Sequence, residues 1–180
     1  MKQGFAIFLS ILLMLSFCGC RPSSSQGSTV DDAATPEPTR AEKIRLEFFL
    51  EGMPEYQDAT LFVGDGYSLY ITDDNWLSVP GKNGEMTWTS SYNPDISLAV
   101  IPNAGDTFTH ARDTLFQHYI GVADEGEYVF GHDESGNYYR AARLIETTDG
   151  ILAAVWDYTL EATEGFGARL YVIAGTLEPQ

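Results

Sequence analysis

The chain begins with an apolar segment that ends at two cysteines, and this start constrains what the rest can become. Lys2 precedes the segment, and residues 5–17 are almost entirely apolar. A run of roughly 13 residues has the length of a signal-peptide core and is too short to span a bilayer. Because Cys18 and Cys20 are the two cysteines of the chain, the residues after them can form no disulfide and no thiol-based metal site.

The segment Leu15-Ser16-Phe17-Cys18-Gly19-Cys20 resembles the lipobox of bacterial lipoproteins. Lipoprotein processing needs a small residue before the modified cysteine, and Gly19 provides one before Cys20. Phe17 stands where lipoboxes usually carry leucine. The resemblance implies cleavage after Gly19, lipidation of Cys20, and a cell-membrane protein that faces outside the cytoplasm. A shifted site at Cys18 and an ordinary secretory signal remain as alternatives.

The composition changes directly after Cys20. Residues 21–43 are rich in Ser, Thr, Pro, Asp and Ala and offer little apolar surface to bury. Such a segment predicts a disordered stalk with a root-mean-square reach on the order of 25 Å. The predicted organisation is therefore a signal peptide over 1–19, a lipidated cysteine and stalk over 20–43, and a globular domain over 44–180.

The charge balance excludes some partners. The chain has 26 Asp and Glu against 10 Lys and Arg, a formal net charge of −16. A negative field repels phosphates, so we expect no nucleic acid partner and a membrane contact made through the lipid anchor alone. No sequence motif indicates a cofactor.

Hydrophobic periodicity predicts strands for most of the domain and one clear helix. Residues 44–51 alternate between apolar and polar side chains, and residues 60–71 read as a hairpin around Gly64-Asp65-Gly66. Phe108, Ala111 and Leu115 recur at helical spacing after a capping residue. Further strands are predicted over 85–90, 96–101, 127–131, 138–146, 151–161 and 166–176. This pattern predicts an α+β fold, in which one amphipathic helix covers one face of a twisted antiparallel sheet of hairpins with a C-terminal meander.

The order of these elements resembles the PsbP-like α/β sandwich. The resemblance rests on residues 66–71, on Trp76, on the later helix and on the long closing strands, and it spans most of residues 59–177. It implies a fold used mostly for non-catalytic accessory or binding modules, although a fold alone does not define a function. A cystatin-like or NTF-like curved sheet fits the pattern nearly as well.

Aromatic residues are concentrated in the first third of the domain. Tyr70, Trp76, Trp88 and Tyr92 are candidates for contacting a ligand, because aromatic rings near turns offer flat apolar faces with polar rims. In a small sheet sandwich the same residues usually build the core, and this is the default interpretation. Tyr70 alternates with Leu69 and is therefore the member expected to be exposed.

Catalytic and metal-binding patterns are weak. His110 lies between Asp106 and Asp113 on the predicted helix, which would suit a polarised base, but a solvated helix face explains the same pattern. Residues 132–137 place oxygen atoms at alternate positions, yet the segment lacks the glycine placement and the terminal glutamate of an EF-hand loop. A hairpin turn is the simpler interpretation, and we assign no catalytic residue and no metal ligand.

The functional expectation is a cell-envelope lipoprotein that presents a small non-catalytic binding or structural domain on a flexible stalk. Its partner would be an unidentified envelope protein or a small ligand. Two alternatives remain: an envelope hydrolase centred on His110 and nearby carboxylates, and a solute-capturing accessory protein that uses exposed aromatics.

The anchor generates the first testable prediction. Two or three acyl chains hold a protein firmly at a membrane, whereas one chain holds it weakly. Replacing Cys20 by Ser should therefore release the protein into the medium or leave the precursor uncleaved, as measured by fractionation and labelling with a fatty-acid probe. Labelling equal to wild type in Cys20→Ser would contradict lipidation at Cys20 and indicate Cys18 instead.

Overall fold

A computed structural model describes residues 40–73 and 75–180 of the chain, and in this range two antiparallel sheets form the domain. The leader, Cys20 and most of the predicted stalk lie outside the described residues. The first sheet has four strands in the order β1-β2-β3-β11. These strands are Lys43–Leu50 (β1), Met53–Val63 (β2), Tyr67–Thr72 (β3) and Glu178–Pro179 (β11).

The second sheet has seven strands in the order β4-β5-β6-β10-β9-β8-β7. They are Trp76–Pro80 (β4), Met86–Ser90 (β5), Ser97–Ile101 (β6), Ile120–Glu125 (β7), Tyr128–His132 (β8), Tyr138–Thr147 (β9) and Gly150–Thr159 (β10). Hairpin connections explain most of this order. The turn at Asp149-Gly150, a dipeptide typical of tight hairpins, joins β9 to β10, and Gly150 has a φ of +124°, a conformation that favours glycine.

Two short helices pack against the sheets. Helix α1 spans Phe108–Leu115, and the Thr107 hydroxyl caps it by accepting a hydrogen bond from the His110 backbone N–H at 3.2 Å. Helix α2 spans Ala168–Gly175 and follows a π-helical turn over Thr163–Gly167. No helix in the described part of the chain is long and apolar enough to cross a membrane.

Strand β10 lies at the centre of the second sheet and is buried on both faces. Alternate side chains of a strand point to opposite faces, so one strand can contribute to two apolar layers. Toward α1 it presents Ile151, Ala153 and Val155. Toward the first sheet and α2 it presents Leu152, Ala154 and Trp156. Strand β10 therefore contributes three alternate side chains to each of the two buried clusters.

Arginine side chains tie the ends of the helices to the sheets. Arg140 donates two hydrogen bonds of 2.8 Å to the Asp157 carboxylate and one of 2.9 Å to the Leu115 carbonyl oxygen at the end of α1. Arg143 donates to the carbonyl oxygen of Gly175, the last residue of α2, at 2.9 Å and to that of Leu177, just after the helix, at 3.0 Å. Carbonyl groups at a helix C-terminus lack partners within the helix, so each arginine satisfies groups that would otherwise be left unpaired.

The predicted fold class is wrong. The domain is mostly β, with two sheets and two short helices, whereas the sequence predicts one sheet under a single helix. Residues 168–175 cause part of the error, because Tyr171, Val172 and Ile173 favour a strand by intrinsic propensity. Leu170, Ile173 and Ala174 are nevertheless the buried residues of α2, and their spacing is helical.

The central strand generates a stability prediction. Trp156 is 1% exposed and Leu160, which follows β10, is 52% exposed. Trp156→Ala should lower the free energy of unfolding by about 3–5 kcal/mol, because it removes buried area and leaves a cavity. Leu160→Ala should stay within about 0.5 kcal/mol of wild type. Denaturant midpoints for both variants test this, and similar midpoints would contradict the assignment of β10 as the core strand.

Candidate functional site

A cleft of about 320 Å³ opens between the two sheets where the chain passes from β3 to β4. Strands β2 and β3 of the first sheet form one side, and β4 and β5 of the second sheet form the other. The residues that line it include Thr60, Phe62, Ile71, Trp76, Ser78 and Trp88. The cleft exists because β3 and β4 are consecutive in sequence but belong to different sheets.

Two tryptophans give the cleft its apolar surface. Trp88 on β5 is 4% exposed and packs edge-to-face against Phe62, with ring centroids 5.0 Å apart. Trp76 is half-buried, and Phe166 of the π-helical turn packs edge-on against it at 6.5 Å. The Trp76 indole N–H also donates to the Thr72 hydroxyl at 3.3 Å. Trp88 therefore forms the floor, and Trp76 forms a wall held in place from two sides.

A buried tyrosine supports the floor from behind. Tyr67 is fully buried, its ring lies 6.1 Å from that of Phe62, and its hydroxyl donates to the Gly84 carbonyl oxygen at 3.3 Å. Burial, and to a smaller degree the nearby Asp65 carboxylate, raises the pKa of Tyr67 to about 12. The hydroxyl therefore stays protonated at neutral pH and keeps its hydrogen bond.

The rim of the cleft is polar. The Asp73 carboxylate accepts a hydrogen bond of 2.9 Å from the Thr60 hydroxyl, and the Lys43 ammonium lies 3.9 Å from it. Ser78 on β4 is exposed. An apolar floor and wall with a few polar groups at the mouth is the usual composition of a site for non-covalent binding.

The structure brings together two of the four predicted aromatic residues. Trp76 and Trp88 share the cleft, whereas Tyr70 and Tyr92 lie outside it. Tyr92 is 76% exposed in the loop between β5 and β6, where its hydroxyl accepts a hydrogen bond from the Asn75 amide. Cys20, the predicted lipidation site, lies outside the described residues.

The expected exposure of Tyr70 is wrong, because the first described residues of the chain cover it. Tyr70 is 5% exposed, and its hydroxyl donates to the Ala41 carbonyl oxygen at 2.7 Å. The Arg40 guanidinium lies 4.6 Å from the centre of the ring and donates to the Ser68 hydroxyl and the Thr176 carbonyl oxygen. A stretch predicted as stalk therefore contributes ordered contacts to the first sheet.

His110 is exposed on α1, and neither neighbouring carboxylate is paired with its ring. The Asp113 carboxylate instead accepts hydrogen bonds of 2.7 and 3.0 Å from Arg112. The hydrogen bonds to Asp113, and to a smaller degree the one to Asp124, raise the pKa of the Arg112 guanidinium. The Asp113 carboxylate is therefore engaged by Arg112, and the His110 side chain lies at the surface.

In the loop at residues 132–137, side-chain oxygen atoms form hydrogen bonds with nearby groups of the same loop and strand. The Asp133 carboxylate accepts hydrogen bonds from the Ser135 hydroxyl at 2.7 Å and from the backbone N–H groups of Asn137 and Tyr138 at 3.1 Å. The Ser135 hydroxyl first, and then these amides, hold the pKa of Asp133 below its usual range. In residues 40–73 and 75–180, no group of three or more His, Cys, Asp or Glu side chains could hold a metal ion.

Comparison with known proteins gives a structural similarity but no match in sequence. No protein-family model matches the chain, and no curated protein matches it in sequence. The domain is similar to the solution structure of cyanobacterial PsbP from Synechocystis sp. PCC 6803, with a TM-score of 0.43 and 12% sequence identity. The match covers 64% of this chain and 87% of that protein. The neighbour bears the name of the fold that the sequence pattern resembles, and a likeness at this level carries no inference about activity, ligand or partner.

Sequence reasoning identified the two tryptophans but missed the rest of the cleft. Thr60, Phe62 and Ile71 lie in a hairpin that the sequence predicts correctly, between residues 60 and 71. Their partner surface is β4, which lies outside the predicted strands. The alternation from Leu77 to Val79, with Pro80 at the end, is the signal that identifies this short edge strand.

The exposed position of His110 generates a prediction. His110→Ala should change the free energy of unfolding by no more than about 0.5 kcal/mol, because the side chain buries little and its backbone N–H keeps the Thr107 cap. A Thr107→Ala variant is the matched control and should cost about 1 kcal/mol, because it removes the cap. Denaturant midpoints compare the two variants. A larger loss for His110→Ala than for Thr107→Ala would mean that the imidazole is engaged.

Proposed function

We propose that the chain is a cell-envelope lipoprotein, anchored through Cys20, whose domain is a non-catalytic binding module. The observation that carries the binding role is the cleft in which Trp76 and Trp88 present apolar ring surface beside a polar rim. The anchor is supported by the leader and by Gly19-Cys20, and the stalk is supported by the composition of residues 21–39.

The size of the cleft favours a small ligand or one group of a larger one. Small-molecule sites occupy about 300–1,000 Å³, and a cleft of about 320 Å³ is at the lower end of that range. Capture of a small solute is therefore the form of binding that the cleft supports best. Its chemistry favours a ligand with a flat or apolar face, because the lining includes Phe62, Ile71 and the two tryptophans.

The negative charge of the chain also affects which ligands the cleft binds. A field of this sign disfavours anionic ligands and attracts cations, and the Asp73 carboxylate at the rim acts in the same direction. Aromatic faces also attract cations through their quadrupole, most strongly in tryptophan. We therefore expect neutral or cationic ligands in preference to anionic ones.

The cleft is tested with a neutral apolar fluorophore, N-phenyl-1-naphthylamine. It should bind wild type saturably, and Trp76→Ala should weaken binding about tenfold or more, because the loss of an aromatic wall removes roughly 1.5–3 kcal/mol of burial. Tyr92→Ala is the matched control, since Tyr92 is an exposed aromatic outside the cleft, and its affinity should equal that of wild type.

Thermal unfolding of each variant checks that the domain remains folded. An equal affinity for wild type and a folded Trp76→Ala variant would contradict binding at the cleft. The anchor is tested separately by Cys20→Ser, so a failed anchor and a failed binding site give different results.

A further inference from the structure

The ends of the two sheets present four edge strands, and three of them carry features that discourage pairing with another chain. Proteins protect such edges with charges, bulges, proline or very short strands. Strand β1 has charged side chains along its outer face, and β11 has two residues, one of which is Pro179. Strand β7 has an irregular register between Ile120 and Ala123 and ends in two acidic residues.

Strand β4 differs from the other three edges. Its sequence, Trp76–Pro80, contains no charged residue although the chain carries a net charge of −16. Leu77 and Val79 are 61% and 60% exposed and point to the same face. Among the described residues, β5 is the one strand paired with β4. The edge is therefore uncharged, apolar and open.

The hydrogen bonds at both ends of β4 show which backbone groups face outward. The Ser91 N–H donates to the Asn75 carbonyl oxygen, and the Gly81 N–H donates to the Glu85 carbonyl oxygen, both at 2.9 Å. Because bonded residues alternate in an antiparallel pair, the groups of Leu77 and Val79 also face β5. The groups of Trp76, Ser78 and Pro80 then point to the open edge.

We infer that β4 pairs with β4 of a second copy of this chain, antiparallel and centred on Ser78. In this register Ser78 faces Ser78, and the two serines exchange N–H···O=C bonds. Trp76 faces Pro80, and the Trp76 N–H of each copy donates to the Pro80 carbonyl oxygen of the other. Every outward N–H group of both strands is then bonded. Pro80 lies at the end of the pair and has no N–H, so only the Trp76 carbonyl oxygen opposite it is left without a partner.

The same register covers the exposed apolar side chains. Leu77 of one copy lies opposite Val79 of the other in a pair without hydrogen bonds, where Cα atoms are about 4.5 Å apart and side chains meet closely. On the other face, Trp76 of the second copy lies opposite Pro80, beside the cleft of the first. Ser78 and Pro80 are exposed on that face, so the first sheet leaves room for the second copy. The two clefts would thus form one groove that contains both Trp76 side chains.

Charge and area determine how strong this pairing is. Two copies with the same negative charge repel, and salt weakens this repulsion as the Debye length falls from about 10 Å at 0.1 M to about 3 Å at 1 M. Stable dimers bury about 800 Å² per partner, which is more than a five-residue edge provides alone. The dimer should therefore dissociate on dilution and strengthen with salt. This pairing depends on neither the lipid anchor nor a bound ligand.

Disulfide trapping tests the geometry. The chain from residue 21 onward contains no cysteine and includes both buried clusters, which lie within residues 44–177. Paired residues that exchange hydrogen bonds have Cα atoms about 5.5 Å apart, within the range that a disulfide spans. Under mild oxidation, Ser78→Cys should form a covalent dimer at least about tenfold faster than Val122→Cys, which places an exposed thiol on the β7 edge.

Mixing tests the register. Leu77→Cys combined with Val79→Cys should give mainly the mixed disulfide, because these positions face each other only when the pair is centred on Ser78. Reaction of each free thiol with a small disulfide reagent corrects for differences in accessibility. Equal trapping rates for Ser78→Cys and Val122→Cys would overturn the proposal.

Sedimentation provides an independent test with the native edge. The unmodified 21–180 chain should show a monomer–dimer equilibrium that shifts toward the dimer at high salt. Val79→Lys should shift it to the monomer, whereas Val122→Lys should leave it unchanged, and thermal unfolding checks that both variants are folded. A wild-type chain that stays monomeric at every concentration and salt level would overturn self-pairing and leave β4 open to a strand of another protein.

Discussion

The burial of β10 on both faces is the constraint on which the rest of the structure depends. A strand in this position must carry apolar side chains at nearly every residue, and residues 151–156 do so without a break. The smallest of them, Ala153 and Ala154, allow α1 and α2 to approach the sheet from opposite sides. Removing apolar area from this strand would therefore weaken both layers at once. Asp157, the next residue of β10, contributes polar contacts. Its carboxylate binds Arg140, whose side chain also reaches the end of α1.

The cleft is a consequence of how the chain leaves the first sheet. Strand β3 is buried between neighbours on both faces, and the next strand begins a different sheet after a short connection. Two sheets that diverge at such a point leave open space between them, and here aromatic residues from both sheets line that space. Trp88 and Phe62 close its inner end by packing against each other. Trp76 is placed at the outer end because it is the first residue of β4.

Much of the strand pattern was predictable, but its division into two sheets was not. Alternation predicts β1 and the β2–β3 hairpin, because period-two burial depends on local sequence. The β9–β10 hairpin is predicted by the Asp149-Gly150 turn between two apolar runs. Residues 168–175 form a helix because Leu170, Ile173 and Ala174 fit the space between β1 and β3 of the first sheet and β9 and β10 of the second. This long-range condition overrides the strand propensity of Tyr171 and Val172. The burial of Tyr70 likewise depends on Arg40 and Ala41, which are distant in sequence. Trp76 and Trp88 could be selected as a pair, whereas the surface facing them could not.

Charged residues of the two signs have different places in the domain. Five arginines form ion pairs within the domain: Arg40, Arg112, Arg140, Arg143 and Arg169. Because the chain has 26 acidic residues against 10 basic ones, most of the acids have no basic partner and much of the surface charge is negative. Such a surface discourages unspecific association, since like charges repel over a Debye length. Electrostatic repulsion of an approaching strand is therefore weakest at β4, an uncharged edge with two exposed aliphatic side chains. Most of the basic residues thus form ion pairs within the domain, and the absence of charge from β4 leaves backbone hydrogen bonds and aliphatic side-chain contacts as the interactions that this edge can offer.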